Sequence, residues 1–357
     1  MSDTIVIGGG VLGQLTALAL AARGRSVVLL DAGASAPPAS WAGGGILSAL
    51  FPWRYPDALT TLTRHALQDY RELGRRIIEA GGVDPEARQT GMLVHARDDA
   101  SVAQQWAGHW NVQVLPGDAE AVPAVLRRAD AVWLPDVGTI RNPRLLKGLH
   151  RLLSVVGVRA LHDAPVTGLR REGEVWCAET PQGHFRAGQV LVAAGAWASA
   201  LLRPQGLDLP VRPVQGEMLL YGATCPAPPG VILAEDGYVI PRADGQMLVG
   251  STLRDSGYDQ RPTGAAHRQL MALAGRLWAP LAGETPVAQW AGLRPGSDRL
   301  WPWLGEVPGT PGLFVGAGHY RNGLVSAPAS ASLLAALMCG TSAPFDPAPY
   351  GLDGLSR

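Results

Sequence analysis

Near its amino terminus the chain reads Thr4-Ile-Val-Ile-Gly8-Gly9-Gly10-Val11-Leu12-Gly13, and a little further on Ser26-Val-Val-Leu-Leu-Asp31. The β-branched run 4–7 is typical of a buried strand, and residues 14–22 are mostly helix formers. A second apolar run ends at Asp31, eighteen residues after Gly13. Strand, Gly-x-Gly-x-x-Gly, helix, strand and acid in this order form the dinucleotide-binding fingerprint in the context it requires.

Each part of the fingerprint has a physical role. Gly8 allows the tight turn, Gly10 has no side chain to hold off a diphosphate, and Gly13 lets the helix pack closely on the strand. The first N–H groups of the helix favour a diphosphate, and Asp31 can accept hydrogen bonds from ribose hydroxyls. The motif leaves NAD, NADP and FAD open, although Asp31 disfavours the 2′-phosphate of NADP. The alternative is an ordinary βαβ unit with a glycine-rich turn.

The bulk composition narrows the class of protein. The 357 residues exceed the usual size of one domain, so two lobes are expected. Lys+Arg and Asp+Glu both number 30, and this zero net charge argues against a nucleic-acid or anionic-membrane partner. Cys177, Cys225 and Cys339 have no metal-site or disulfide spacing and fit a reducing cytoplasm. Because the fingerprint strand starts at residue 4, we expect no signal peptide, and the apolar stretch 11–22 is too short to span a bilayer.

Two further glycine-rich segments favour a flat ligand. The first, Ser40-Trp-Ala-Gly-Gly-Gly-Ile, follows a predicted loop over 32–40. It allows a ring to lie against the backbone, with a flexible hinge as the alternative. The second runs from the strand 313–318 through the turn 319–323 into an alanine-rich helix, 324–338. The start of that helix can stabilise negative charge, which suits a flavin because its reduced ring is anionic. The alternative is a helix that only packs on the sheet.

The middle of the chain has a different character. Apolar spacing predicts helices over 56–81, 142–156 and 263–278. Between them, 211–221, 230–234, 238–242 and 246–250 read as strands, with Asp244-Gly245 as a hairpin turn. We therefore predict an α/β protein whose second lobe is a mainly antiparallel sheet facing the substrate.

Four blocks of sequence together resemble the FAD-dependent amine and amino-acid oxidases, the family that includes D-amino-acid oxidase, sarcosine oxidase and glycine oxidase. The blocks are 5–31, Ser40-Trp-Ala-Gly-Gly-Gly-Ile-Leu, Gly237-Tyr-Val-Ile-Pro-Arg242 with Leu248-Val-Gly-Ser-Thr252, and Trp290-Ala-Gly-Leu-Arg-Pro-Gly296 with Ala317-Gly-His-Tyr-Arg-Asn-Gly323. They run from end to end of the chain, and the third and fourth are specific to this family. The resemblance is nearest to the glycine oxidases of bacterial thiamine biosynthesis.

The resemblance implies a fold and a domain plan. It implies a Rossmann-like FAD-binding domain of the D-amino-acid oxidase type, formed by 1–85, 138–210 and 290–357. An interleaved, mainly antiparallel substrate-binding domain is expected from 86–137 and 211–289.

Three side chains match the family's substrate site. Arg294 matches the arginine that grips the substrate carboxylate, a role that suits a planar, permanently charged fork. Tyr238 matches the tyrosine that hydrogen-bonds the same carboxylate, and Arg321 matches an arginine of the loop beside the flavin. As plain structural alternatives, Arg294 would be a solvated turn arginine and Tyr238 would pack in the sheet. The family's mechanism needs no catalytic acid or base, and none is assigned. The stretches 50–55 and 231–236 are candidates for the lining of the substrate pocket.

The FAD itself is expected to be bound non-covalently, because no cysteine lies within 316–323; a link through His319 is the alternative. No metal site is expected. The residues expected to contact the cofactor, from the fingerprint, the glycine-rich segments and the resemblance together, are Gly8, Gly10, Val11, Leu12, Gly13, Asp31, Ala32, Ser40, Gly43, Gly44, Gly45, Val166, Gly195, His319, Tyr320, Arg321, Asn322, Gly323 and Leu324.

The implied activity is oxidative deamination of glycine or another small amine, such as sarcosine or a small D-amino acid. In the family, hydride passes from the α-carbon to flavin N5, and dioxygen is then reduced to hydrogen peroxide. The product of glycine would supply dehydroglycine for the thiazole of thiamine. The alternative is a D-amino-acid dehydrogenase with a quinone-type acceptor. A non-enzymatic FAD-binding subunit and an NAD-dependent dehydrogenase also stay open. The resemblance further implies a cytoplasmic homo-oligomer, often a tetramer.

Overall fold

The fingerprint strand lies inside the first of two large sheets in a computed structural model that describes residues 2–33, 38–353 and 355. The strands are β1 (Ser2–Ile7), β2 (Val27–Leu30), β3 (Arg88–Gln89), β4 (Met92–His95), β5 (Leu115–Pro116), β6 (Ala131–Leu134), β7 (Gly138–Thr139), β8 (Arg159–Leu161), β9 (Gly168–Glu172), β10 (Val175–Thr180), β11 (Gly183–Val192), β12 (Val211–Tyr221), β13 (Val231–Ala234), β14 (Gly237–Pro241), β15 (Met247–Gly250), β16 (Ala288–Ser297), β17 (Trp303–Glu306) and β18 (Leu313–Ala317).

Helices pack on both faces of each large sheet. They are α1 (Val11–Ala21), α2 (Ala39–Ala42), α3 (Asp57–Thr63), α4 (Ala66–Glu79), α5 (Ala100–Trp110), α6 (Asn142–Val155), α7 (Ala198–Leu202), α8 (Gly264–Leu277) and α9 (Gly323–Cys339).

The first sheet has the strand order β17-β18-β11-β1-β2-β8, with β9 and β10 added as an antiparallel hairpin beside β11. Strands β18, β11, β1, β2 and β8 are parallel, which is the arrangement of a doubly wound nucleotide-binding sheet. The apolar faces of α1 and α9 share one buried core under this sheet. The predicted Rossmann-like unit is therefore present, and α9 contributes its second strand–glycine–helix unit.

The second sheet has the order β16-β12-β15-β14-β13-β4-β6-β5. All its neighbours are antiparallel except β4 and β13. The prediction of a mainly antiparallel second sheet is confirmed. Strand β16 runs across the predicted domain boundary at 290, and we therefore propose a boundary after Ser297.

The helix predicted over 56–81 is instead two helices, α3 and α4, separated at Arg64 and His65. His65 leaves the helical conformation with a ψ of 6°, and α4 then restarts with its own amphipathic face against α6. Periodicity did not reveal the break because the apolar spacing continues across it. The loop predicted over 32–40 has its centre, 34–37, outside the described residues, and α2 begins at Ala39.

One segment of the described chain, Tyr320–Cys339, is long and apolar enough to cross a membrane by length and composition. In the structure 61% of its 18-residue apolar window is buried against the rest of the protein. Its leucines and alanines pack on α1, which is the usual reason for an apolar helix in a sheet protein.

Candidate functional site

A cavity of about 940 Å³ lies between the two sheets. Its first wall is formed by the carboxyl ends of β1, β2, β11 and β18, and its second wall by β12, β14 and β16. Ligands of doubly wound proteins bind at the carboxyl ends of the parallel strands. The cavity therefore lies where a dinucleotide would bind and where the second sheet can contribute side chains.

The glycines of the fingerprint fit a dinucleotide for separate steric reasons. Gly8 has a φ of +113°, and a Cβ there would lie 2.4 Å from the carbonyl oxygen of Ala193. A Cβ on Gly13 would lie 1.9 Å from the carbonyl oxygen of Gly8, so this glycine permits the contact of helix and strand. A Cβ on Gly10 would meet nothing closer than Ser40 Oγ at 3.2 Å, so the open space beside Gly10 is available to a ligand.

Asp31 lies at the end of β2, on the cavity wall. Its carboxylate accepts hydrogen bonds from the backbone N–H of Gly9 at 2.6 Å and of Gly33 at 3.0 Å. These bonds hold the carboxylate beside the glycine-rich turn while leaving lone pairs for further donors. The position fits the expected contact with ribose hydroxyls.

The triple-glycine loop is held by buried donors. Arg242 donates to the carbonyl oxygens of Gly44 and Ile140, both at 2.8 Å. Burial, aided by the nearby charge of Arg141, lowers the pKa of Arg242 to about 10, so the side chain is still cationic at neutral pH. Gly45 has a φ of +78°, and a Cβ there would lie 2.1 Å from the carbonyl oxygen of Ile140. The loop is a fixed wall of the cavity.

Asn142, the first residue of α6, connects this wall to the phosphate end. Its Nδ2 donates to the carbonyl oxygen of Ser40 at 2.9 Å, and Ser40 Oγ accepts from the backbone N–H of Val11 at 3.0 Å. Asn142 lines the cavity, and its Oδ1 is buried without a hydrogen-bond partner among the described residues. Such an unsatisfied acceptor is expected where a ligand completes the site.

The substrate end is formed by Arg294, Tyr238 and Arg321, which all line the cavity. The guanidinium of Arg294 lies against Gly216, where a Cβ would be 1.9 Å from its NH1. Burial lowers the pKa of Arg294, and the charge of Arg321 lowers it further, but an arginine stays cationic under these conditions. Tyr238 directs its hydroxyl to Met218 Sδ at 3.5 Å, a weak bond that a better acceptor can replace.

Arg321 differs from Arg294 in its surroundings. It is exposed, and its guanidinium lies 5.4 Å from the ring centroid of Tyr320. Two cationic groups therefore face the same cavity, one buried and one exposed to solvent. This arrangement is complementary to a small carboxylate.

His319 begins the turn before α9 and is 7% exposed. Its Nε2 lies 3.3 Å from Ser330 Oγ. Burial lowers the pKa of His319 to about 4, so the imidazole is neutral near pH 7. A neutral, buried histidine with a hydroxyl partner is best explained as a packing residue of the loop.

The low pKa of His319 predicts part of the protein's acid sensitivity. Between pH 6.5 and 4 the unfolded chain binds a proton at this residue and the folded chain does not, so stability falls as the pH falls. At pH 5 this proton uptake lowers the free energy of unfolding by about 2 kcal/mol relative to its value at high pH. In His319→Gln the melting temperature should therefore drop less between pH 7 and pH 5 than in the wild type. Thermal unfolding of both proteins at both pH values measures the two drops, and an unchanged drop in His319→Gln would contradict the prediction.

Most residues predicted to contact the cofactor or the substrate do line the cavity. The exceptions are Gly13, which lies beneath Gly8, and Asn322, which is 3% exposed and accepts a hydrogen bond from Ser326 Oγ at its carbonyl. Both are placed to shape the turns that carry neighbouring cavity residues.

Further residues line the cavity wall opposite the fingerprint. Six of them fall in the candidate stretches 50–55 and 231–236: Leu50, Phe51, Leu233, Ala234, Glu235 and Asp236. Ser251 and Thr252 end the third sequence block, although no role was predicted for them. Asn142 and Met218 are new; Asn142 had a local signal, since Asn-Pro starts a helix, and Met218 had none.

Comparison with known proteins agrees with this geometry. The model of the family described as FAD dependent oxidoreductase matches residues 3–337. A glycine oxidase of Pseudomonas aeruginosa is 45% identical over 359 residues, covering 98% of each chain. A bifunctional protein ThiO/ThiG of Synechocystis is 29% identical over 94% of this chain and 51% of its own length.

The solved structures give the same result. The crystal structure of glycine oxidase from Geobacillus kaustophilus matches with a TM-score of 0.89 and 29% identity, covering 100% of this chain and 99% of that one. This match confirms the predicted fold class, an α/β fold with a Rossmann-like FAD-binding domain. Family model, relatives and structure cover the same, nearly complete length, and the chain belongs to the family of FAD-dependent oxidoreductases that contains D-amino-acid oxidase.

Proposed function

We propose that this protein is an oxidase that deaminates glycine or another small amine and passes the electrons to dioxygen. The observation that carries the proposal is the buried guanidinium of Arg294, which faces the cavity beside Tyr238 and forms no ion pair with a carboxylate of the described residues. A buried cation of this kind favours an anionic ligand. The glycine oxidases among the relatives support an amino acid as that ligand.

The phosphate end of the cavity would hold FAD. Gly8, Gly10 and the first residues of α1 would receive the diphosphate, Asp31 the ribose, and Val166 the adenine end. The loop 43–45 would face the flavin ring from one side, and 319–324 would run along its edge. When bound there, FAD supplies the two-electron acceptor for the amine and the centre that dioxygen reoxidises.

The side chains of the protein orient the substrate and exclude water. Arg294 would hold the carboxylate through two parallel hydrogen bonds, and Tyr238 would donate a third from β14. With the carboxylate fixed, the α-carbon has one position relative to the flavin ring. The start of α9 would stabilise negative charge at the ring's edge. No side chain is assigned as a catalytic acid or base, so the substrate would react as its neutral amine.

The walls near Arg294 favour a small substrate. Phe51, Met218 and Leu233 line this end of the cavity, and Gly44 packs against Tyr238. Glycine fits the proposal best, with sarcosine and small D-amino acids as further candidates. We extend the proposal to a supply of oxidised glycine for the thiazole of thiamine, since some relatives join ThiO to ThiG in one chain.

The proposal includes a cytoplasmic homo-oligomer, with a tetramer as the form to test by light scattering. It is tested by measuring oxygen uptake and peroxide release with glycine, sarcosine, D-alanine and D-proline. Glycine turnover with stoichiometric peroxide is the expected result. Turnover with a quinone analogue and none with dioxygen would replace the oxidase by a dehydrogenase.

Removing the hydroxyl of Tyr238 should weaken substrate binding selectively. We expect Tyr238→Phe to raise KM for glycine about tenfold, the value of one hydrogen bond to a charged group, and to change kcat less. Tyr55→Phe is the control, because Tyr55 does not line the cavity. A wild-type KM in Tyr238→Phe would remove this residue from the proposed site.

A further inference from the structure

Glu217 is a buried carboxylate that the proposed mechanism does not use. It lies on β12 between Gly216 and Met218, which both line the cavity, but it does not line the cavity itself. We infer that Glu217 is a positioning residue for Arg294 and that it acts through residues 251–263. This inference rests on the proposed function, because it takes Arg294 as the group that binds the substrate carboxylate.

Residues 251–263 connect β15 to α8, and we call them the buttress loop. Its first two residues hold Arg294: NH1 donates to the carbonyl oxygen of Thr252 at 3.2 Å, and NH2 donates to Ser251 Oγ at 2.7 Å. The backbone of Gly216 also lies against the guanidinium. The orientation of the guanidinium therefore depends on where the buttress loop places Ser251 and Thr252.

Glu217 ties both ends of the buttress loop to β12. At one end, its backbone N–H donates to Thr252 Oγ1 at 2.9 Å. At the other end, its carboxylate accepts from the backbone N–H and the hydroxyl of Thr263, both at 2.9 Å. Gln289 Nε2 on β16 donates to the same carboxylate at 2.7 Å. The backbone of Glu217 thus fixes the loop's start, and its side chain fixes the loop's end. Glu217→Ala keeps the first tie and removes the second.

Gln215, two residues earlier on β12, holds the middle of the buttress loop. Its Nε2 donates to the carbonyl oxygen of Asp259 at 2.8 Å, and its Oε1 accepts from Arg254 Nε at 2.9 Å. Side chains of a strand alternate between its faces, so Gln215 and Glu217 share the face toward the loop and Gly216 faces Arg294. Strand β12 therefore carries the support on one face and the substrate site on the other.

The burial of Glu217 favours a role in positioning over a role in packing alone. The residue is 1% exposed, and none of the ion pairs among the described residues includes it. A buried carboxylate without a cation is unfavourable unless donors surround it, and here three donors do. A purely apolar residue would pack there but would leave those donors without partners and the loop end untied.

The test measures the binding of acetate, a carboxylate without an amine, to the FAD-loaded protein by calorimetry. We expect Glu217→Ala to weaken acetate about tenfold and to raise KM for glycine by a similar factor, with kcat changed much less. Glu217→Gln keeps an oxygen that can accept from both Thr263 and Gln289, and it should bind acetate within about twofold of wild type. The FAD content and the visible spectrum should be unchanged in both variants.

A second background separates positioning from general loosening. Arg294→Lys removes the planar guanidinium that Ser251 and Thr252 orient. Adding Glu217→Ala to this variant should therefore change the acetate affinity less than about twofold. Equal weakening in both backgrounds would overturn the inference. If Arg294→Lys alone bound acetate like the wild type, the assignment of Arg294 in the proposed function would fail instead.

Two further variants keep the test decisive. Glu284→Ala removes a carboxylate that accepts from Thr224 Oγ1 in the same lobe, outside the cavity lining, and should bind acetate normally. If Glu217→Ala does not fold, Thr263→Val removes the hydroxyl bond of the same tie, together with the N-cap bond that Thr263 Oγ1 accepts from Ala266, and should weaken acetate by a smaller factor. Wild-type acetate affinity in a folded Glu217→Ala, or in Thr263→Val in its place, would overturn the inference.

Discussion

Replacement of Arg294 by alanine should lower kcat/KM for glycine about 1,000-fold, because it removes a buried charge-assisted pair worth roughly 4 kcal/mol. The substrate carboxylate would enter a desolvated cavity without its partner, so both binding and orientation would be lost. FAD should stay bound in full, since the contacts proposed for it lie at the fingerprint and at the loops 43–45 and 319–324.

The control for Arg294→Ala is an arginine on the neighbouring strand. Arg212 on β12 is exposed and lies 3.5 Å from Asp298 in a surface ion pair, so Arg212→Ala should change kcat/KM less than about twofold. Steady-state oxygen uptake measures both variants. Turnover of Arg294→Ala within tenfold of wild type would remove Arg294 from the proposed site.

The second large effect is expected at Gly10, where the free protein tolerates a side chain and the bound cofactor would not. Gly10 has a φ of −67° and a ψ of 175°, which any residue adopts, and a Cβ would lie 3.2 Å from Ser40 Oγ. Gly10→Ala should therefore fold, but its methyl would occupy the approach to the diphosphate. We expect the Kd for FAD to rise roughly 100-fold, the loss of one or two charge-assisted hydrogen bonds.

The matched control for Gly10→Ala lies in the same sheet. A Cβ on Gly188 of β11 would meet only the carbonyl oxygen of Asp3 at 3.9 Å, so Gly188→Ala should bind FAD like the wild type. Fluorescence titration of deflavinated protein with FAD gives both dissociation constants. Tight FAD binding by Gly10→Ala would contradict the placement of the diphosphate.

The sequence predicted the nucleotide end of the site well because its signal is local. The glycine-rich turn, the start of the helix and the acidic residue of the fingerprint all lie within 4–31, so their geometry depends on contacts between residues close in sequence. The interruption at His65 was missed, since apolar spacing cannot register a single non-helical residue.

The support around Arg294 could not be predicted for a different reason. Ser251 and Gly216 are far apart in sequence and meet only because β12 pairs with both β15 and β16. The partners of Glu217 depend on the same pairing, and a lone glutamate in a strand carries no signal of them. Arg242 belongs to the segment 237–242 that resembles the family, but its bonds to Gly44 and Ile140 follow from tertiary structure alone.

The proposed oxidase activity is tested most directly by mixing the purified, FAD-loaded protein with glycine in the absence of oxygen and following the visible absorbance of the flavin. We expect loss of the flavin absorbance, with return of the colour and release of peroxide when air is admitted. Absorbance that glycine leaves unchanged would contradict the proposed oxidase, and so would bleaching that air does not reverse.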